Sequence, residues 1–188
     1  MAADPTFDTR RRYTVDEYEL MGRVGILAED ERTELLDGEI LAMSPVSPRH
    51  ASVVSRITRQ LYRSTGDNVL IRVQDPIRLV PRSEPQPDIV ICRPRRDSYV
   101  SAHPAAEDIV LLIEVANSSL AVDRGIKLPI YAAEGIVEVW LVDLKAEVVH
   151  VCTEPTDHGY ATVRTLGRQA ELVPTTLKDV RIPVSDIL

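Results

Sequence analysis

Glu114 stands alone in the apolar run IVLLIEVANSS, residues 109–119, whose other members read as a strand buried on both faces. Taking a carboxylate out of water costs several kcal/mol unless a partner compensates it or its pKa rises. A second acid, Asp88, heads the apolar segment of PQPDIVI, 26 residues earlier, a separation that allows a neighbouring strand after a loop. Two carboxylates at close range repel, so one keeps a proton or a cation sits between them. A hard divalent ion is the economical solution, because Mg²⁺ takes one or two carboxylates and retains several waters. Such an ion can acidify a water and stabilise charge that builds on a phosphate. Lys127, 13 residues beyond Glu114, is the candidate for orienting the attacking water. Asp123, Lys127 and Tyr131 are spaced four apart, which places them on one side of a continuous helix, although Pro129 lies inside the segment.

The elements that must position these groups are legible in outline. Thr14 with Glu17 has capping-box spacing, so a helix is predicted to start at Thr14. Asp37-Gly38 separates two apolar stretches and predicts a hairpin turn, since both residues tolerate positive φ. Residues 48–64 have helical periodicity, with Val53, Val54, Ile57 and Leu61 on one side and Arg49, Arg56, Arg59 and Arg63 on another. Strands are predicted over residues 69–73, 77–80, 88–92 and 109–115. A kinked or late-starting helix is predicted over residues 120–134, then a hairpin across Leu144-Lys145, then weaker strands near residues 161–165 and 171–173. The order predicts an α/β (α+β) architecture, a mixed sheet flanked by helices, with an N-terminal helix and hairpin.

Composition narrows the classes. The 188 residues suffice for one domain, 1–188, with residues 1–12 expected to be flexible. The net charge of −7 excludes a general polyanion binder coated in positive charge, so any nucleic-acid contact must be local. Cys92 and Cys152 carry no metal-type spacing and make no disulfide scaffold. No segment has the apolar length of a signal peptide core or membrane span, which leads to the expectation of a cytoplasmic protein with no membrane partner. Lysine is scarce, three residues against 19 arginines, which draws attention to Lys127.

The segments ELLDGEILAMSP, RH, QPDIVI, LIEVANSS and DRGIKLPIYAAEGIVEVWLVD, in that order, resemble the Uma-two family of restriction endonucleases, a branch of the PD-(D/E)XK nuclease-like fold. The resemblance spans residues 14–143 and implies a metal-dependent phosphodiesterase core acting on nucleic acid, DNA in the first instance. It implies Mg²⁺ or Mn²⁺ held by Asp88 and Glu114, and Lys127 as the positive charge near the water; the Val115 carbonyl is a candidate third ligand. In the parent superfamily pattern the lysine sits two residues after the acid; here that position is Ala116, and the resemblance places the lysine at Lys127 instead. Glu34 in ELLDG and His50 in the first turn of the basic helix are candidate site-edge or substrate residues, as are Asp123 and Tyr131.

Each assignment has a structural rival. Glu114 and Asp88 could be a satisfied buried acid and a strand-initiating turn residue. Lys127 could be a solvated helix residue, and His50 an interior histidine. Glu39 reads as a solvated hairpin acid, Trp140 as core, and the arginine stripe as a solvated helix face. Functionally the alternative to an endonuclease is a non-catalytic, oligomeric nucleic-acid or protein binding module on the same fold. The strands ending the chain could pair with a second copy, giving a homodimer.

Overall fold

The protein is described by a computed structural model covering residues 10–28 and 30–188. Helix α1, Val15–Arg23, starts where the spacing requires: the Glu17 amide donates to Thr14 Oγ1 at 3.2 Å and the Thr14 amide donates to Glu17 Oε2 at 3.0 Å. Strands β1, Thr33–Leu36, and β2, Glu39–Ala42, pair as an antiparallel hairpin. Its turn residues Asp37 and Gly38 have φ of 45° and 79°. A Cβ on Gly38 would meet the Arg12 Cβ at 2.8 Å, so both the dihedral and the close approach select glycine. The first nine residues of the segment expected to be flexible lie outside the described residues; beyond them, Arg11 pairs with Glu17 and Arg12 with Asp37 and Glu39.

Helix α2, Pro48–Thr65, buries Val53, Val54, Ile57 and Leu61, the apolar side that its periodicity predicts. It is capped by Ser47 and has proline at its first position, where a missing N–H costs nothing. Six strands form the main sheet in the order β3-β4-β5-β6-β7-β8. These are Leu70–Val73, Ile89–Cys92, Ile109–Ala116, Glu138–Asp143, Val148–Thr156 and Gly159–Leu166. All neighbours are antiparallel except β5 and β6, which run parallel. A parallel pair demands a crossover, and residues 117–137 supply it as a helical connection. This is the mixed sheet flanked by helices that the sequence predicts.

The two faces of β5 divide the core. Leu111, Ile113 and Val115 pack with α2, Trp140 and the C-terminal residues Ile182, Val184 and Ile187. Leu112 faces the other way, with Val90, Val139, Tyr131 and Cys152. Side chains alternate along a strand, so Glu114 belongs to the Leu112 face, beneath the crossover helix.

One sequence expectation needs correction, one is refined and one element was not anticipated. Residues 77–80 form no strand: prolines bracket them, and their amides go singly to Pro85, Pro104 and Ser83 rather than to a ladder. Over residues 120–134 a regular helix does begin beside Pro129, at Leu128, as one of the two expectations has it, but helical turns precede it. A short helix α3, Leu120–Val122, passes through a π-helical turn, Asp123–Lys127, into helix α4, Leu128–Ala133, whose first turn accommodates Pro129. A two-stranded ladder of β9, Glu171–Leu172, and β10, Ile182–Pro183, closes the chain, and β10 had no sequence signal of its own. Among the described residues no helix is long and apolar enough to cross a membrane.

Candidate active site

The site lies where β5 outruns β4. Their pairing ends at Ile89 opposite Ile113, so the Val115 amide has no backbone partner on the β4 side. Asp88, immediately before β4, fills the vacancy: its Oδ2 accepts from the Val115 amide at 2.9 Å. In return Glu114 Oε2 lies 3.4 Å from the Asp88 amide. The two acids therefore meet at the adjacent ends of neighbouring strands. Gln74, one residue past β3, donates from Nε2 to Asp88 Oδ1 at 3.2 Å, and His50 Nε2 lies 3.0 Å from Asp88 Oδ2. That hydrogen bond raises the His50 pKa above its ordinary value, against the opposing effect of burial.

The direct partners of Glu114 come from the crossover helix. Tyr131 donates its hydroxyl to Glu114 Oε1 at 2.7 Å, and Lys127 Nζ lies 3.3 Å from the same oxygen. Lys127 Nζ also meets Glu34 Oε2 at 2.9 Å, and this oxygen accepts from the Gln86 amide. All three ionic side chains are under a tenth exposed. Burial pushes the Glu114 carboxyl up to about 8, opposed by the Lys127 ammonium and the Tyr131 hydroxyl and reinforced by Asp123 and Asp88. Burial on its own would lower the Lys127 pKa, but the carboxylates of Glu114, Glu34 and Asp123 more than offset it, so the ammonium persists through neutral pH. Asp123 is also raised by burial, with the Ser119 hydroxyl donating to it at 2.6 Å in opposition. Tyr131, buried against Glu114, stays protonated.

The partner that a buried Glu114 demands is thus an ammonium and a phenol as well as the neighbouring Asp88. A cavity of about 230 Å³ opens onto this cluster, lined by Glu34, His50, Asp88, Glu114, Asp123 and Lys127 among others. A model of the Uma2 family, described as "Putative restriction endonuclease", matches residues 15–185. The chain belongs to the Uma2 family. It is also similar to the crystal structure of "a putative nuclease belonging to DUF820 from Anabaena variabilis ATCC 29413". That likeness has a TM-score of 0.74 and 16% identity and covers 93% of this chain and 96% of the other, which establishes a shared fold. No curated protein matches the chain.

In this Uma2 member the expected site residues Glu34, His50, Asp88, Glu114, Asp123, Lys127 and Tyr131 all converge on one neighbourhood, although Tyr131 lies behind Glu114 rather than on the cavity wall. Glu39 is drawn to Arg10 and Arg12 instead, and Trp140 is buried with Nε1 donating to Glu138. Gln74, Gln86, Ser47 and Asn117 were not anticipated, yet all four line the cavity. Register reasoning could have found Gln74, because Val73 pairs with Ile89 and so places Gln74 beside Asp88. The Asn117 side chain holds the Ser47 hydroxyl at 3.2 Å, joining the end of β5 to the cap of α2.

Proposed function

We propose that this Uma2 protein is a metal-dependent nuclease that hydrolyses phosphodiester bonds of nucleic acid, DNA in the first instance. One observation carries the reading: two carboxylates from neighbouring strands and a doubly paired buried lysine share a single polar cavity. The donor set suits a hard cation, with Asp88 and Glu114 oxygens and the Val115 carbonyl as ligands. Among the described residues no three His, Cys, Asp or Glu side chains are gathered into a metal cage. Water or phosphate oxygens would fill the remaining positions, which is how Mg²⁺ is commonly held. The buried His50 Nδ1, with no hydrogen-bond partner, is a further polar atom left over near this wall. Bound there, Mg²⁺ or Mn²⁺ would supply an acidified water and positive charge beside the scissile phosphate.

The protein's own groups have distinct tasks. Lys127 is a charge donor, not a base, because its proton is held by three neighbouring acids. Two of its three ammonium hydrogens serve Glu34 and Glu114, and the third is left for a water or phosphate oxygen in the cavity. Tyr131 fixes the Glu114 rotamer from behind. His50 and Gln74 hold Asp88 from opposite oxygens and so set the direction of its free lone pairs.

Incubation with plasmid, single-stranded DNA and RNA in Mn²⁺ tests the proposal. Cleavage should fall about 10²–10³-fold in Lys127→Ala and Glu114→Gln variants that keep the wild-type circular dichroism spectrum. The acidic net charge favours a second reading, a binding module that has lost catalysis. Retained nucleic-acid binding with no cleavage of any substrate would establish that reading and remove the first.

A further inference from the structure

Helix α2 carries four arginines and no acidic residue, in a chain of net charge −7. Arg49 is paired with Glu147, but Arg59 and Arg63 are exposed and have no ion-pair partner among the described residues. Between them in the sequence Tyr62 stands 58% exposed, its ring open to solvent. These three side chains line a groove of about 550 Å³ together with Val54, Ser55, Thr58 and Val73. Val73 and Val54 also mark its neighbour: Gln74, one residue further along the chain, and His50, one helical turn back, both line the candidate active site. The groove and the site are therefore consecutive stations along the same helix and the same strand end.

We infer that the α2–β3 groove binds a single-stranded segment of nucleic acid flanking the reacting phosphodiester, with Tyr62 as a base-stacking platform and Arg59 and Arg63 on the backbone phosphates. The inference rests on the nuclease reading for the position of the reacting bond. Charge complementarity selects the occupant, since the two arginines meet no carboxylate among the described residues and the Val54 and Val73 side chains that share the groove suit a base better than a phosphate. A duplex keeps its base faces stacked on one another, whereas an unpaired base presents one to an exposed ring. Arg59 and Arg63 lie about 14 and 20 Å from His50 along the helix axis. At about 3.4 Å per stacked nucleotide that is about four to six nucleotides from the site.

Fluorescence anisotropy with a labelled 15-nucleotide single strand and the matching duplex, in EDTA so that no cleavage occurs, tests this on the full chain. Wild-type protein should prefer the single strand. Tyr62→Ala should weaken that binding roughly five- to 150-fold while Tyr62→Trp retains it. Arg59→Ala with Arg63→Ala should lower the slope of log K against log salt by about 1.4, the value for two phosphate contacts on a single strand. Both variants change exposed side chains, and an unchanged melting temperature confirms that they remain folded. Wild-type affinity and salt slope in both variants, or a preference for duplex insensitive to Tyr62, would overturn the inference. The nuclease reading fails separately: binding that behaves as expected without any cleavage in Mn²⁺ removes catalysis and leaves the groove.

Discussion

Replacing Lys127 with methionine is the most direct test of the buried charge arrangement. The substitution keeps the unbranched stem of the side chain as far as Cε and removes its ammonium, which leaves Glu34 and Glu114 facing each other with no counter-charge. All three groups are less than a tenth exposed, so water screens little of the loss. Removing one partner of a buried ion pair costs about 3–5 kcal/mol. For a chain of this size that corresponds to a melting temperature lower by about 6–20 °C. The cost should depend on pH in a defined direction. Glu114 already titrates near 8 with Lys127 present, and without it the midpoint moves higher. A carboxyl whose folded pKa exceeds its unfolded value contributes stability that is complete below the unfolded value and is lost as pH rises through the folded one. The Lys127→Met deficit in urea unfolding should therefore be smaller below pH 8, where Glu114 keeps its proton with or without the lysine, and grow as pH rises through 8 and above. Adding Glu34→Gln should recover part of the stability at pH 8. A deficit below about 1 kcal/mol at pH 8, or one that does not change with pH, would refute the claim that this lysine neutralises two buried acids.

Two further outcomes follow from the same cluster. Because burial keeps the Glu114 proton in place up to about 8, Mg²⁺ or Mn²⁺ binding must displace it, so affinity should rise about tenfold per pH unit below that point and level off above it. Isothermal titration in buffers of different ionisation enthalpy reads the released proton directly, and binding that is pH-independent, or unchanged in Glu114→Ala, would remove Glu114 from the ligand set. The His50 ring should titrate above the ordinary histidine value by NMR, its ionic pairing with Asp88 present below that midpoint and lost above it. In Asp88→Asn only burial should remain to act on it strongly, and the midpoint should drop; an unmoved midpoint would mean that the 3.0 Å contact does not determine its charge.

Local signals carried most of the fold. The Thr14 capping box, the Asp37-Gly38 turn and the face of α2 each depend on residues within one turn of one another, and each is found where local chemistry puts it. Residues 77–80 misled because an apolar run satisfies the strand pattern without a neighbour to pair with, and only the bracketing prolines argued otherwise. β10 was invisible for the opposite reason. Its two residues pair with β9 across a long loop, and so short a ladder has no periodicity to detect.

The candidate site was legible as a set of acids and a lysine, but not in its connections. Nothing local in ELLDG indicates that Glu34 should meet Lys127, since the contact joins the N-terminal hairpin to the crossover helix. Alternation along β5 explains why the lysine comes from there. Ala116 lies on the same face as Glu114, two residues on, where the parent pattern has its lysine. Ala116 is 1% exposed, so the position is covered by other elements. The π-helical turn ends at Lys127 and delivers an ammonium to Glu114 from above the sheet instead of along the strand. Asp123 and Lys127, at the two ends of that turn, are both buried. The positive charge beside this acid is thus carried by the crossover helix rather than by the strand. This arrangement also brings in Glu34, because a lysine approaching from the crossover passes the hairpin on its way to β5.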